Sequence, residues 1–173
     1  MKVQVLNEEG INEAMLGLSL SYNQPFEEMM SVAERLALMD GGHNKFLESI
    51  AVWIDITAAR YWWQQFDTYR VGVTKQSEST MHTITRRPLV QADFQKPISG
   101  ELLGALNELI ISKDFASIKN LLPEGFLQRR IVCTNYKALR HIYQQRKNHR
   151  LPEWNVFFYH VTRQVDYPRW ITE

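Results

Sequence analysis

Residues 49–58, SIAVWIDITA, restrict the possible folds more than any other stretch. Ile50, Val52, Ile54 and Ile56 alternate with their neighbours and so share one face of a strand. A strand with one dry face needs a layer of other elements to cover it. The next residues, AARYWWQQFDTY, read as an aromatic-rich helix that begins where the strand ends.

The rest of the chain supplies further elements. KVQVL alternates and reads as a short first strand. NQPFEEMMSVAERLALMDGG reads as one helix over 23–42. Asn23 is placed as its cap, Pro25 suits its first turn, Glu27 and Glu28 favour its positive end, and Gly41-Gly42 stops it. From Val71 to about Pro97 the chain is polar and loop-like, with RRPLVQADFQKP as an excursion between Pro88 and Pro97. Ser99 caps GELLGALNELIIS, and DFASIKNLL follows as a shorter helix. FLQRRIVCT reads as a strand. Asn135 then caps the long helix YKALRHIYQQRKNHR. Pro152 starts a last helix, EWNVFFYHVTRQV, and DYPRW ends regular structure. Two or three strands among five or six helices make an α+β protein, with residues 1–173 as a single domain.

Composition excludes several classes. Of 173 residues, 45% are apolar and 12% aromatic, which suits a packed core and argues against disorder. A formal net charge of +1 gives no global field that would draw nucleic acid or a membrane. The single cysteine, Cys133, excludes an internal disulfide and a multi-cysteine metal site, and reads as a small buried apolar residue. No apolar run has signal-peptide or membrane-spanning length, so the expectation is a cytoplasmic protein with no membrane partner. The five histidines show no HExxH spacing, and no GxSxG, P-loop or GxGxxG motif is present. Ser77 and Ser79 near His82 are weak evidence for a nucleophile, and no metal ligand is assigned.

The long helix carries the first geometry that bears on function. At about 100° per residue, Asn135, Leu139, Ile142 and Arg146 fall within about 40° of one line, with His149 near it. An arginine thus continues an apolar stripe. It either snorkels at the end of the core face or is held in a partly dry pocket to fork onto an anionic or imide-like ligand. Between Arg129 and Arg150 there are seven Lys/Arg and no Asp/Glu. That run reads as a solvated face, an anion pocket or a nucleic-acid footprint.

Two blocks resemble the flavin-dependent thymidylate synthases. The first runs from GHNKFLESI through STMH, residues 42–82. It resembles the family segment in which glycine-histidine precedes a glutamate-isoleucine strand, an aromatic-rich helix and then an arginine-, serine- and asparagine-bearing signature. Gly42, His43, Glu48, Ile50, Gln65 and Arg70 fall in register without a gap. The second is IKNLLPEGFLQRRIVCTNYKALRHIYQQR, residues 118–146. It resembles the family's leucine-proline, strand, asparagine and arginine-ending helix at Leu122-Pro123, Asn135 and Arg146.

The signature is altered. Its arginine-histidine-arginine is Thr68, Tyr69 and Arg70 here. Its serine, asparagine and second serine are Val73, Lys75 and Glu78, and its closing arginine-tyrosine is Thr80-Met81. A slip of one or two residues brings Ser77 or Ser79 into play. The arginine before leucine-proline corresponds to Lys119, and the arginine and asparagine of the following helix to Lys137 and His141.

The resemblance implies a small, mainly antiparallel sheet packed with several helices, and methylation of a pyrimidine nucleotide of the dUMP-to-dTMP type. It implies FAD as cofactor, NADPH and methylenetetrahydrofolate in an active enzyme, no covalent nucleophile from the protein, and sites shared among subunits of a homotetramer. It assigns Arg146 to the uracil as the catalytic residue. It assigns His43, Arg70, Asn135 and His141 to the cofactor, and Gln65, Lys75, Ser77, Ser79, Lys119 and Lys137 to the nucleotide. The loss of the signature's phosphate-binding residues, together with Glu78, leaves open a non-catalytic or re-purposed homologue that binds a nucleotide or a protein partner. An unrelated α+β protein with a nucleic-acid-binding basic helix is the third possibility.

Overall fold

Four strands form one antiparallel sheet in the computed structural model, which describes residues 1–173. They are β1 (Lys2–Glu9), β2 (Ala51–Ala59), β3 (Thr74–Ser77) and β4 (Leu127–Asn135), in the spatial order β1-β2-β4-β3. The central pair is fixed by its apolar face. Val52, Ile54 and Ile56 of β2 are wholly buried, and Ile54 lies opposite Val132 of β4, also wholly buried. A slip of one residue would turn this row to the other side, so the register is strongly specified. The opposite face carries Trp53, Asp55 and Arg129 and is partly open. Cys133 lies there, opposite Trp53, and is only partly buried rather than enclosed as expected from the sequence.

Nine helices accompany the sheet. They are α1 (Ile11–Tyr22), α2 (Met29–Ala37), α3 (Arg60–Phe66), α4 (Thr80–Thr83), α5 (Gly100–Ser112), α6 (Phe115–Leu121), α7 (Tyr136–Arg146), α8 (Glu153–Val161) and α9 (Arg169–Thr172). No helix is long and apolar enough to cross a membrane. A main cluster of 31 buried apolar residues joins the covered sheet face to α1, α2, α3, α7, α8 and α9. A second cluster of seven, including Ile84, Phe94, Leu106 and Ile118, holds the excursion between β3 and β4 together. Phe94 within the proline-bounded segment pairs with Phe126, so this excursion is anchored.

Capping explains several boundaries. The Ser99 side chain accepts from the Leu102 N–H at 3.2 Å and starts α5. The Asn135 side chain accepts from the Ala138 N–H at 2.8 Å and starts α7. The helix expected over 23–42 is shorter and differently punctuated. Asn23, with φ 49°, closes α1 in the left-handed conformation instead of opening a helix. A 3-10 turn at Phe26–Glu28 then leads into α2. The chain also continues past DYPRW into α9, whose Trp170 and Ile171 are buried in the main core.

Gly10 and Gly41 have left-handed φ values of 98° and 74°. A Cβ on Gly10 would press against the Ser49 carbonyl oxygen, whereas one on Gly41 would meet nothing within 4 Å. Backbone conformation alone sets the cost at Gly41, about 1–2 kcal/mol for an alanine. At Gly10 the junction between β1 and α1 must also move. Gly10→Ala is therefore expected to lower the urea midpoint well beyond Gly41→Ala, with both read by circular dichroism.

Candidate functional site

α3 sends its side chains in different directions. Trp62 and Phe66, one turn apart, enter the core. Trp63 donates its indole N–H to the Gln128 carbonyl of β4 at 2.9 Å. Gln65 faces α7 and α8, and Tyr69 follows just beyond the helix end.

Arg146, the last residue of α7, meets this edge. Its Nε donates to the Tyr69 hydroxyl at 2.7 Å and its Nη1 to Gln65 Oε1 at 3.3 Å. The guanidinium carbon lies 5.0 Å from the Trp154 ring centre and 5.3 Å from that of Tyr69, both within cation–π range. The Trp154 indole N–H also donates to Gln65 Oε1, at 3.1 Å, so this amide oxygen holds two donors. A cation suits the C-terminal end of α7. Of the five N–H donors on a guanidinium, two are used within the chain. Arg146 is thus half-buried, with Nε and Nη1 each holding one acceptor and Nη2 unpartnered.

A second group gathers near the start of α7. Arg70 and His141 line the same cavity of about 150 Å³ with Tyr69, Val71 and Val73. Gly72, with φ 67°, brings this loop against the helix, and a Cβ there would lie 2.8 Å from Asn135 Nδ2. His43 is exposed in a turn whose next residue, the buried Asn44, accepts from Lys137 Nζ. No hydrogen bond or cavity in the protomer joins His43 to Arg70 or Arg146.

A third group lies beyond β3. Lys119 Nζ donates to Thr80 Oγ1 at 2.7 Å, next to Ser79 at the start of α4. Ser77, at the end of β3 opposite Arg130, is exposed. Lys75 is already engaged: its ammonium lies 3.2 Å from Asp67 Oδ1 and donates to the Tyr69 carbonyl.

The structure therefore brings together Arg146 with Gln65, Arg70 with His141, and Lys119 with Ser79, while His43 and Lys137 stand apart from these pairs. Tyr69 connects the first two groups, since its hydroxyl holds Arg146 and its ring walls the Arg70 cavity. The sequence registers Tyr69 only as a departure from the signature, and Trp154 carries no signal that separates it from other core aromatics.

The basic run is not a continuous cationic surface. Arg129 pairs with Asp55 at 2.5 Å and Arg130 with Asp67 at 2.9 Å. Lys137 is tied to Asn44, and Arg146 is held as described. Arg140 is 4% exposed, with its terminal nitrogens on the Trp170 and Leu38 carbonyls. Only Lys147 and Arg150 project as exposed cations without a carboxylate or hydrogen-bond partner, too few for a phosphate-tracking stripe.

This α+β fold, one antiparallel sheet accompanied by nine helices, is the fold of the flavin-dependent thymidylate synthases. Two solved structures of the enzyme ThyX from Helicobacter pylori, both complexed with FAD and dUMP, are similar to this chain from end to end. One has a TM-score of 0.78 at 15% identity, covering 99% of this chain and 98% of its own. The other has a TM-score of 0.79 at 15% identity, covering 99% and 97%. No protein-family model matches the sequence, and no curated protein matches it.

His149 supplies a pH response next to this site. Its Nδ1 accepts from the Leu151 N–H at 3.1 Å, which requires the neutral ring. Burial, followed by the nearby Arg146 and Arg150 charges, holds its pKa below the usual histidine value. A depressed folded-state pKa means that the unfolded chain binds the proton more readily. The stabilisation is complete above the ordinary histidine pKa of about 6.5 and is lost as pH falls through the lowered value. Between about pH 7 and pH 5 the wild-type melting temperature is expected to fall more than that of His149→Gln, as read by thermal denaturation at both pH values.

Proposed function

We propose that this protein is a divergent flavin-dependent methylase of a pyrimidine nucleotide, of the dUMP-to-dTMP type, acting in the cytoplasm as a homotetramer. The observation that carries this reading is Arg146: a guanidinium with Nε and Nη1 each held within the chain and an unpartnered edge at Nη2, at the position the resemblance assigns to the uracil. A planar imide is the ligand that such an edge fits, and the fixed donors favour negative charge developing on it.

The other groups support the same reading. Arg70 and His141 form an exposed donor pair of the kind that a pyrophosphate takes. The cavity they share, about 150 Å³, is far below the several hundred Å³ that a cofactor needs. Enclosure of FAD therefore requires further walls from other copies of the chain, which is the reason for the tetramer. Bound FAD would supply the hydride and one-carbon chemistry, with NADPH as reductant and methylenetetrahydrofolate as carbon source. The chain's own part is to bind, orient and polarise. On the nucleotide side, Lys119, Ser77 and Ser79 would hold the phosphate, Lys119 standing against the position where the signature's closing arginine has become Thr80.

One observation favours a second reading, a homologue with another nucleotide or without turnover. Lys75 is held by Asp67, a carboxylate it shares with Arg130, and Glu78 stands in the phosphate loop as an exposed carboxylate.

The experiment is a visible spectrum of the purified protein with added FAD, followed by titration with dUMP and complementation of a thymidine-requiring strain. The proposal expects a bound-flavin spectrum that dUMP perturbs, and growth without thymidine. Flavin binding without growth selects the second reading, and a protein that takes up no FAD rejects the first.

A further inference from the structure

The Tyr69 hydroxyl is placed to do more than fill the position where the signature has histidine. Tyr69 is 9% exposed. Its backbone carbonyl is held by Lys75 Nζ at 3.2 Å, and its ring packs against Phe66 and Trp154 with centroids 6.3 and 6.2 Å away. The ring is thus fixed before the hydroxyl makes any bond. The hydroxyl donates to Gln145 Oε1 at 3.0 Å, which leaves its lone pairs for the Arg146 Nε–H at 2.7 Å. With the Gln145 amide oxygen committed to Tyr69, its nitrogen donates to His141 Nε2 at 3.0 Å, so this ring nitrogen is the acceptor. The chain of bonds therefore runs in one direction, from Arg146 through Tyr69 and Gln145 to His141.

We propose that Tyr69 is a positioning residue for Arg146: its hydroxyl holds the Nε–H of the guanidinium so that Nη2 is turned to the ligand. An arginine side chain has four flexible torsions, and the Trp154 face 5.0 Å from its guanidinium carbon draws the group in without choosing its orientation. Gln65 alone gives one contact at 3.3 Å, to Nη1. The shorter Tyr69 contact is the second point that fixes the orientation. The bond to Gln145 in turn stops the hydroxyl from rotating its hydrogen toward the guanidinium. The role in ligand binding rests on the functional reading above; the bond itself does not.

Tyr69→Phe tests this, because it keeps the ring and removes only the hydroxyl. In protein without ligand, the Arg146 Nε–H is expected to exchange slowly with water by NMR and to exchange at least tenfold faster in Tyr69→Phe. In flavin-loaded protein the variant is expected to bind dUMP about tenfold more weakly, the loss of one charge-assisted hydrogen bond's worth of orientation. In an Arg146→Gln background the same change is expected to have no effect on dUMP affinity, since Tyr69 acts through the arginine. An unchanged Nε–H exchange rate, equal dUMP affinity, or an equal loss in the Arg146→Gln background each overturns the proposal. Wild-type protein that binds FAD but no dUMP removes the nucleotide reading and the ligand-facing role together, whereas wild-type binding with an unaffected variant removes only the role of Tyr69.

Discussion

The packing of Trp62 against Trp154 determines where the rest of the molecule stands. The two rings lie with centroids 4.8 Å apart, and Trp62 also meets Trp63, Phe66 and Phe157 at 5.0 to 5.5 Å. Both indoles are wholly buried. Such contacts contribute about 0.5–1.5 kcal/mol each beyond the area they bury, and here they join two helices distant in sequence. Fixing α8 against α3 puts the Trp154 ring under Arg146 and its N–H on Gln65. The same aromatic cluster that closes the core therefore builds one wall of the candidate site. A change that lets α8 shift would disturb the guanidinium without touching it.

Much of this architecture was legible in the residues, for identifiable reasons. The alternation at Ile50–Ile56 gave both the strand and its buried face, because side-chain direction in a strand has a strict period of two. Ser99 and Asn135 were legible as caps because each is followed by a helical pattern and has no competing use. β3 was not: Thr74–Ser77 is a polar edge strand, and its evidence is the partner β4 rather than its own sequence. α1 was also missed. It begins at Gly10 with no side-chain cap, and Leu16 and Leu20 are exposed, so neither start signal nor clean polarity marks it. Asn23 illustrates a real ambiguity, since asparagine favours both helix starts and the left-handed residue that ends a helix. The nearest pattern on its C-terminal side suggested the wrong one.

Charge was the least legible property. Read along the chain, Arg129 to Arg150 is uniformly basic. In space, Arg129 and Arg130 are answered by Asp55 and Asp67, which lie 74 and 63 residues away. Arg140 is buried against carbonyl oxygens, including Leu38 just after the end of α2, where the helix dipole is negative. A run of like charge thus says little about surface potential when sheet pairing and helix packing bring its counter-charges from elsewhere. Position within that run separates Arg146 from the others: it lies on the same helical line as Leu139 and Ile142, and its partners, unlike those of Arg129 and Arg130, are neutral. Aromatic faces and amide oxygens orient a guanidinium without cancelling its charge.

That distinction bears on how a divergent sequence keeps a binding site. At 15% identity to a neighbouring structure, the fold matches over 99% of the chain. What must persist is a geometric condition: a cation on a helix end, restrained in orientation, with one edge unspent. Several side-chain sets meet that condition. Here a tyrosine hydroxyl, a glutamine amide and an indole do so, and each is held by the core that the aromatic helices form. A carboxylate at Tyr69 would meet the distance but satisfy the charge, leaving the guanidinium with less attraction for an incoming anion or imide.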